Sequence, residues 1–137
     1  LDNEAATREV MRDGWYRSGD LARLDADGFL FVVDRTKDMI ITGGENVYSK
    51  EVEDVLGAHP DVQDVAVIGR PHDQWGETVV AVLVPRPGTQ PDPEGIKAFA
   101  AKRLARYKVP REFLIRDTLP RTPTGKLMKH VLRADFT

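Results

Sequence analysis

An apolar stretch from Thr78 to Val84 constrains the fold of this chain more than any other feature. Its sequence, TVVAVLV, is rich in β-branched residues and carries apolar side chains on both faces of the strand that it predicts. Such a strand lies in the centre of a sheet, with other elements packed on both faces. The chain has 137 residues, of which 41% are hydrophobic. That length suits one small domain around the strand, or one domain with part of another.

Shorter apolar runs predict further elements around this central strand. The runs that predict strands are residues 39–41, 62–68 and 113–115. Helical spacing predicts one helix capped by Ser49 and another that begins at Asp92-Pro93. Their core positions are Val52, Val55 and Leu56 in the first, and Ile96, Phe99, Ala100 and Leu104 in the second. With a short closing helix at Lys129–Arg133, the order strand, helix, strand, strand, helix, strand predicts an α+β fold of ferredoxin-like kind, a small sheet flanked by helices.

A β-hairpin is predicted ahead of this fold. Residues 21–24 and 29–33 flank the turn sequence Asp25-Ala26-Asp27-Gly28. An isolated hairpin is marginally stable in water, so we expect residues 1–36 to be the end of a larger N-terminal domain and residues 37–137 to form a separate domain. The chain also lacks an initiating Met, which fits a segment of a longer protein.

Charge is distributed unevenly along the chain. Residues 97–137 carry eleven Lys or Arg and three acids, a balance of +8, whereas residues 1–96 carry nine bases and 19 acids, a balance of −10. A basic end attracts a phosphate-bearing ligand, an acidic partner or nucleic acid, and a solvated basic face is an equally good interpretation. A stand-alone nucleic-acid-binding module therefore stays open, although the predicted strands lack the aromatic residues that RNA-binding sheets display.

Composition excludes several other classes. The chain has no cysteine, which excludes disulfides and thiolate catalysis and fits a reducing cytoplasm. No apolar run approaches the roughly 20 residues of a transmembrane helix. The three histidines, His59, His72 and His130, lack the spacing of metal ligands, so we predict no metal site in this chain.

Loop motifs supply the candidate functional residues. Asp20 follows a Ser-Gly turn, and its carboxylate is suited either to two ribose hydroxyls or to its own backbone. Arg35 presents a planar fork of donors for phosphate or ribose, or for a surface ion pair. Gly43-Gly44 permits close approach of a ligand or a tight connection. Lys126, in the run Leu-Pro-Arg-Thr-Pro-Thr-Gly-Lys, is either a mobile cation for a substrate or a solvated lysine.

Aromatic and basic residues are combined in a further set. Trp75, Tyr107, Lys108 and Arg111 offer aromatic faces and cations that suit an adenine and its phosphates. For Tyr107, packing at a helix end is an alternative.

Taken in order, these motifs resemble the C-terminal part of AMP-forming acyl-CoA synthetases, in the adenylate-forming superfamily. The resemblance implies that a carboxylic acid and ATP form an acyl-adenylate and pyrophosphate, after which the thiol of coenzyme A (CoA) displaces AMP. It implies ATP, CoA and Mg²⁺ as cofactors, and a larger N-terminal domain that holds the acyl pocket and the phosphate loop. The sequence Gly43-Gly44-Glu45-Asn46 is typical of the fatty-acyl branch. We expect the isolated chain to be inactive, and expect neither a nucleic-acid partner nor a transmembrane segment.

The resemblance also implies residue roles. Lys126 would be the catalytic residue of adenylate formation, Asp20 and Arg35 would bind the nucleotide of ATP, and Lys37 would be the hinge. The residues that would bind the pantetheine and nucleotide of CoA are Gly43, Gly44, Glu45, Trp75, Tyr107 and Arg111. Some family members carry a base where this chain has Val109. Within the superfamily, an adenylation domain that loads a carrier protein and a luciferase-like oxidase remain alternatives.

Overall fold

The computed structural model describes residues 3–135, and the chain divides into a first unit that ends at Lys37 and a second that begins at Asp38. The first unit contains helix α1 and four short strands. They are α1 (Glu4–Val10), β1 (Met11–Arg12), β2 (Trp15–Tyr16), β3 (Asp20–Leu24) and β4 (Leu30–Arg35).

The predicted hairpin is present as β3 and β4, which pair antiparallel. The carboxylate of Asp25 accepts hydrogen bonds from the backbone nitrogens of Asp27 and Phe29, at 3.0 and 2.9 Å. This Asx-type turn explains why the acidic sequence closes the hairpin. None of the described residues of the first unit is fully buried, and large apolar side chains such as Trp15 and Leu30 are 78% and 66% exposed.

The second unit is built on one five-stranded sheet with helices. Its strands are β5 (Ile40–Thr42), β6 (Glu45–Val47), β7 (Val62–His72), β8 (Gly76–Pro85) and β9 (Glu112–Ile115). Its helices are α2 (Ser49–Gly57), α3 (Pro93–Ala101) and α4 (Lys129–Ala134), with a 3₁₀ turn at Arg106–Lys108.

The apolar stretch lies in β8, at the centre of the sheet, as its sequence predicts. β7 pairs antiparallel along one edge of β8. On the other edge, β5 meets β8 where Thr42 faces Gly76, and β9 runs parallel to the middle of the strand. Residues 79–83 are at most 2% exposed. The sequence pattern did not indicate that two strands share one edge of β8.

Each face of β8 has its own hydrophobic core. Val79, Ala81 and Leu83 pack on the side of α2 and α3, against Val52, Leu56, Ile96 and Ala100. Val80, Val82 and Val84 pack on the opposite side against Leu119 and Leu132. Leu132 is the buried residue of the short helix α4, so its truncation to Ala should cost about 2–5 kcal/mol and release that helix.

The two helix starts differ in their capping. The second helix begins at Asp92-Pro93 as predicted, and Asp92 caps it, since its carboxylate accepts from the backbone nitrogens of Glu94 and Gly95 at 3.2 and 3.0 Å. The predicted cap at Ser49 is wrong by one residue, because α2 begins at Ser49 and Tyr48 lies in the capping position. The Ser49 hydroxyl instead accepts a 2.7 Å hydrogen bond from Lys129 Nζ, which joins α2 to α4.

Candidate functional site

Asp20 and Arg35 face each other across the β3–β4 hairpin. They are paired residues of β3 and β4, and Arg35 Nε lies 3.5 Å from Asp20 Oδ1. Both side chains remain partly exposed, at 34% for Asp20 and 42% for Arg35. The two residues proposed for the nucleotide are therefore neighbours, with carboxylate and guanidinium atoms still accessible to a ligand.

These two residues border a cleft of about 900 Å³ in the first unit. The loop before Asp20 is shaped by Gly19, which has φ 78° and accepts a 2.8 Å hydrogen bond from the backbone nitrogen of Thr36. The residues that line the cleft include Tyr16, Arg17, Ser18, Gly19, Asp20, Arg35, Thr36 and Lys37. The predicted hinge residue Lys37 thus lies at the end of this cleft.

Gly43 and Gly44 form the two-residue turn of a hairpin between β5 and β6, with Thr42 opposite Glu45. Their φ angles are 58° and 84°, and two consecutive positive φ values are the signature of a type I′ turn. The sequence indicated a loop and missed β6, because the polar run Glu45-Asn46 has no strand-like pattern. The Gly43-Gly44 pair, which is typical of two-residue hairpin turns, was the feature that could have predicted β6.

Trp75 holds this glycine turn in place. Gly43 N donates a 2.9 Å hydrogen bond to the carbonyl of Trp75, and a Cβ on Gly43 would lie 3.1 Å from the indole ring. Around Gly44, by contrast, nothing lies within 4 Å of such a Cβ. The first glycine is thus needed for packing, and the second presents open backbone.

A second cleft, of about 1090 Å³, lies beside the glycine turn. The guanidinium carbon of Arg111 is 4.6 Å from the centroid of the Trp75 ring, and Arg111 N donates to Val79 O of β8 at 3.0 Å. The residues that line the cleft are Glu45, Trp75, Lys97, Ala101, Arg106, Tyr107, Val109, Pro110 and Arg111. The structure therefore brings together four of the six residues predicted for CoA, and Gly43 contacts Trp75.

Sequence reasoning missed Lys97 and Arg106, which add two cations to this cleft. The excess of basic residues in 97–137 indicated that some cations could bind a ligand. That excess does not indicate which of them line the same cleft.

Lys108, which the sequence grouped with Trp75, Tyr107 and Arg111, does not line this cleft. Its Nζ lies 2.8 and 2.7 Å from the two carboxylate oxygens of Glu51 on α2. Those hydrogen bonds raise the pKa of Lys108 above its ordinary value, although partial burial acts in the opposite direction. The Lys108 side chain is 18% exposed, so it joins the 3₁₀ turn to α2 and does not line the cleft.

Lys126 lies on a tight loop between Arg121 and Leu127, which form an isolated β-bridge. Thr122 N donates to Lys126 O at 2.8 Å, and Lys126 N donates to the Thr122 hydroxyl at 3.1 Å. Arg121 donates to Gly125 O at 2.8 Å and to Asp64 of β7 at 2.6 Å. The backbone of the loop is thus fixed, while the Lys126 side chain is exposed.

The Lys126 loop and the glycine turn lie at opposite corners of the sheet. Asp64, which anchors the Lys126 loop, faces Val84 near the end of β8. Thr42, which precedes the glycine turn, faces Gly76 at the start of β8 on its other edge. At about 3.3 Å per residue, eight residues of strand separate the two corners by about 26 Å.

The described residues contain neither a metal-binding group nor a membrane-spanning helix. Within residues 3–135, no three His, Cys, Asp or Glu residues are grouped as metal ligands. In the same part of the chain, no helix is long and apolar enough to cross a membrane.

Similarity to known enzymes extends over nearly the whole chain. A feruloyl-CoA synthase of an Amycolatopsis species is 50% identical over 96% of the chain and 27% of its own length. A long-chain-fatty-acid–CoA ligase of Mycobacterium tuberculosis is 44% identical over 96% of the chain and 26% of its own length. The crystal structure of ATP-bound MatB from Rhodopseudomonas palustris superposes with a TM-score of 0.90 at 38% identity, over 98% of this chain and 27% of that one.

The chain thus spans about a quarter of the length of the curated relatives that it matches. A family model described as the AMP-binding enzyme C-terminal domain matches residues 51–126. That range contains α2 from Glu51 onward, the central strand β8, the aromatic and basic cleft residues and Lys126. The chain belongs to the C-terminal domain family of AMP-binding enzymes.

Proposed function

We propose that this chain is the C-terminal part of an AMP-forming acyl-CoA synthetase, which joins a carboxylic acid to CoA at the expense of ATP. In the first half-reaction a carboxylate oxygen bonds to the α-phosphorus of ATP and pyrophosphate leaves. In the second, the CoA thiol bonds to the acyl carbon, loses its proton, and displaces AMP. The second unit of the chain serves both steps, and the first unit is the end of the larger domain.

Lys126 acts in the first half-reaction. Its ammonium is exposed, and no hydrogen bond or ion pair engages it within residues 3–135. Negative charge concentrates where the acid carboxylate approaches the α-phosphate, and a positioned cation lowers the energy of that transition state. The fixed backbone of the loop supports this role, since a pre-organised loop limits the search of a long side chain.

Asp20 and Arg35 act on the nucleotide. An ionised carboxylate offers two acceptor oxygens, which suit the two hydroxyls of a ribose. Arg35, 3.5 Å from that carboxylate, orients it and offers its remaining donors to the nucleotide. The adjacent cleft of about 900 Å³ is large enough for such a ligand.

The glycine turn and its neighbouring cleft act in the second half-reaction. The open side of Gly44 lets the pantetheine arm pass along bare backbone. Trp75 and Tyr107 offer faces for the adenine of CoA, while Arg111 offers charge for its phosphates. Lys97 and Arg106 supply the positive charge that Val109 does not, so the departure from the family pattern at that position is compensated within the same cleft.

One observation carries this proposal, namely the separation of the Lys126 loop from the glycine turn. Two groups at opposite corners of a rigid sheet, about 26 Å apart along β8, do not serve one reaction centre in a single orientation. The second unit must therefore turn between the half-reactions. Lys37, the last residue of the first unit, is the hinge, and the boundary between the two domains lies beside it.

The acid substrate and the magnesium contacts belong to the larger domain. We expect the larger domain to bind most of the Mg²⁺ that accompanies ATP. Relatives named for ferulate and for long-chain fatty acids are similarly close in sequence. These relatives do not distinguish the two kinds of acid. A fatty acid stays our prediction because of the sequence Gly43-Gly44-Glu45-Asn46, and an aromatic acid is the alternative. A cytoplasmic location likewise stays a prediction, to be checked by cell fractionation.

The test uses the full-length enzyme with ATP, Mg²⁺ and a panel of fatty and aromatic acids. Pyrophosphate release reports the first half-reaction, and mass spectrometry of the product formed with CoA or with a carrier protein reports the second. We expect acyl-CoA from at least one acid. A thioester formed only on the carrier protein would contradict the CoA assignment, and pyrophosphate release by the isolated chain would contradict the role of the larger domain.

A further inference from the structure

The segment around Lys37 is held firmly on both sides. On one side, the backbone nitrogen of Thr36 donates a 2.8 Å hydrogen bond to Gly19 O of the first unit. On the other side, the carboxylate of Asp38 accepts a 2.9 Å hydrogen bond from the Arg133 guanidinium of α4. Lys37 is exposed, and no hydrogen bond or ion pair holds it within residues 3–135. Lys37 therefore lacks such contacts, whereas its neighbours Thr36 and Asp38 are both anchored.

The anchor on Asp38 is itself well supported. Arg133 follows Leu132, which is completely buried, and Asp135 at the end of α4 forms a 2.5 Å ion pair with Arg116. The Asp38 and Arg133 side chains are 14% and 30% exposed. Partial exclusion of water strengthens such a charged hydrogen bond relative to one on the open surface.

We propose that Arg133 is a positioning residue that clamps Asp38 to α4 and so confines the hinge to Lys37. A pivot limited to one residue has few accessible orientations, whereas a longer flexible segment has many. Without the clamp, the free segment would extend from Lys37 to Met39, since Ile40 is the next residue fixed by the core. The two working orientations would then be less well defined. This inference rests on the hinge role given to Lys37 above.

The first test compares Arg133→Gln with Arg116→Gln in the full-length enzyme. Both variants remove one ion pair of α4, but only Arg133 contacts the hinge segment. Limited trypsin digestion, followed by mass spectrometry of the fragment that ends at Lys37, measures local opening. We expect cleavage after Lys37 to be about three- to fivefold faster in Arg133→Gln and unchanged in Arg116→Gln. Equal rates in both variants would overturn the proposal.

A kinetic measurement separates positioning from general loss of structure. In Arg133→Gln we expect kcat of the overall reaction to fall about three- to fivefold, with KM for ATP and for the acid unchanged. A parallel rise in both KM values, with kcat unchanged, would overturn the proposal.

A second pair of variants keeps the test decisive if Arg133→Gln folds poorly. Because Asp38 is part of the trypsin site itself, these variants are followed by amide hydrogen exchange of the peptide that contains residues 37–39. Asp38→Asn should accelerate that exchange as Arg133→Gln does, and the double variant should add nothing further. Exchange of the two residues, Asp38→Arg with Arg133→Asp, should restore slow hydrogen exchange. Additive effects, or no restoration, would exclude the clamp. If the wild-type enzyme forms no acyl-CoA at all, the proposed function fails, whereas the trypsin comparison still tests the clamp.

Discussion

The Lys126 loop and the Gly43-Gly44 turn differ in what holds them and in what they present. The Thr122 hydroxyl and the Arg121 guanidinium add side-chain hydrogen bonds to the backbone bonds of the Lys126 loop, which presents one long cationic side chain. Backbone hydrogen bonds hold the glycine turn, which presents an open surface at Gly44. A charge that must reach a phosphate needs length and a firm base, whereas a surface along which a ligand slides needs the absence of side chains. The contrast fits the proposal that one small sheet serves two chemical steps.

The largest expected effect tests the Lys126 side of this comparison. Lys126→Ala removes the ammonium without disturbing the backbone bonds that shape the loop. We expect adenylate formation in the full-length enzyme to fall by about 10²–10³-fold, the range seen when one charge-stabilising donor is lost. Thioester formation from supplied acyl-adenylate should change little. Pyrophosphate release and single-turnover thioester formation measure the two steps separately.

The control for this variant is Lys102→Ala, which removes an exposed lysine at the C-terminal end of α3. It should leave both steps at wild-type rates. Equal losses of both half-reactions in Lys126→Ala would break the division of labour between the two loops.

A smaller effect tests the glycine turn. Gly44→Leu places a branched side chain on the open surface where pantetheine is proposed to pass, and we expect thioester formation to fall by about 10²-fold. Adenylate formation should be largely preserved. Gly88→Leu is the matched control, because Gly88 has a similar positive φ of 80° and equally open surroundings. If both leucine variants behaved alike, backbone strain rather than obstruction would explain the loss.

The cleft beside the turn is tested by Arg111→Ala. Loss of a charged hydrogen-bond donor to a phosphate should raise KM for CoA by about tenfold, with KM for ATP unchanged. Arg103→Ala is the matched control, since Arg103 also stacks on an aromatic ring, that of Phe99 at 3.6 Å, but does not line the cleft. An unchanged KM for CoA in Arg111→Ala would remove this cleft from the CoA site.

The smallest effect concerns Lys108, which contributes to stability rather than to binding. Glu51→Gln removes its partner and should destabilise the fold by less than about 1 kcal/mol, since Glu51 is partly exposed. The pKa of Lys108 is raised above 10.5 in the folded state, so the stabilisation is complete below that pH and is lost as the pH rises through the folded pKa. The difference in melting temperature between variant and wild type should therefore persist from pH 7 to pH 9 and shrink in more alkaline solution. A difference that grew with pH would contradict this assignment.

Local patterns in the sequence determined much of the fold. The central strand, the β3–β4 hairpin and the start of α3 at Asp92-Pro93 could be predicted because each depends on residues that are neighbours along the chain. Apolar residues on both faces predict a central strand, and an acidic turn sequence predicts a hairpin. A carboxylate before Pro93 predicts the start of a helix. The short strand β6 escaped prediction because its pairing depends on β5 rather than on its own polar residues.

The roles of individual side chains were decided by tertiary structure. The sequence contains Lys97, Arg106, Lys108 and Arg133 as four similar cations. Packing places Lys97 and Arg106 at the lining of one cleft. It pairs Lys108 with Glu51, 57 positions away, and Arg133 with Asp38, 95 positions away. Distance in sequence carries no information about such pairs, because a charge interacts with whatever the packed core brings within a few ångströms. The sequence by itself therefore determined most of the elements and the family they belong to. Only the packing decided which charges line the cleft, which join helices to other elements and which lie beside the proposed hinge.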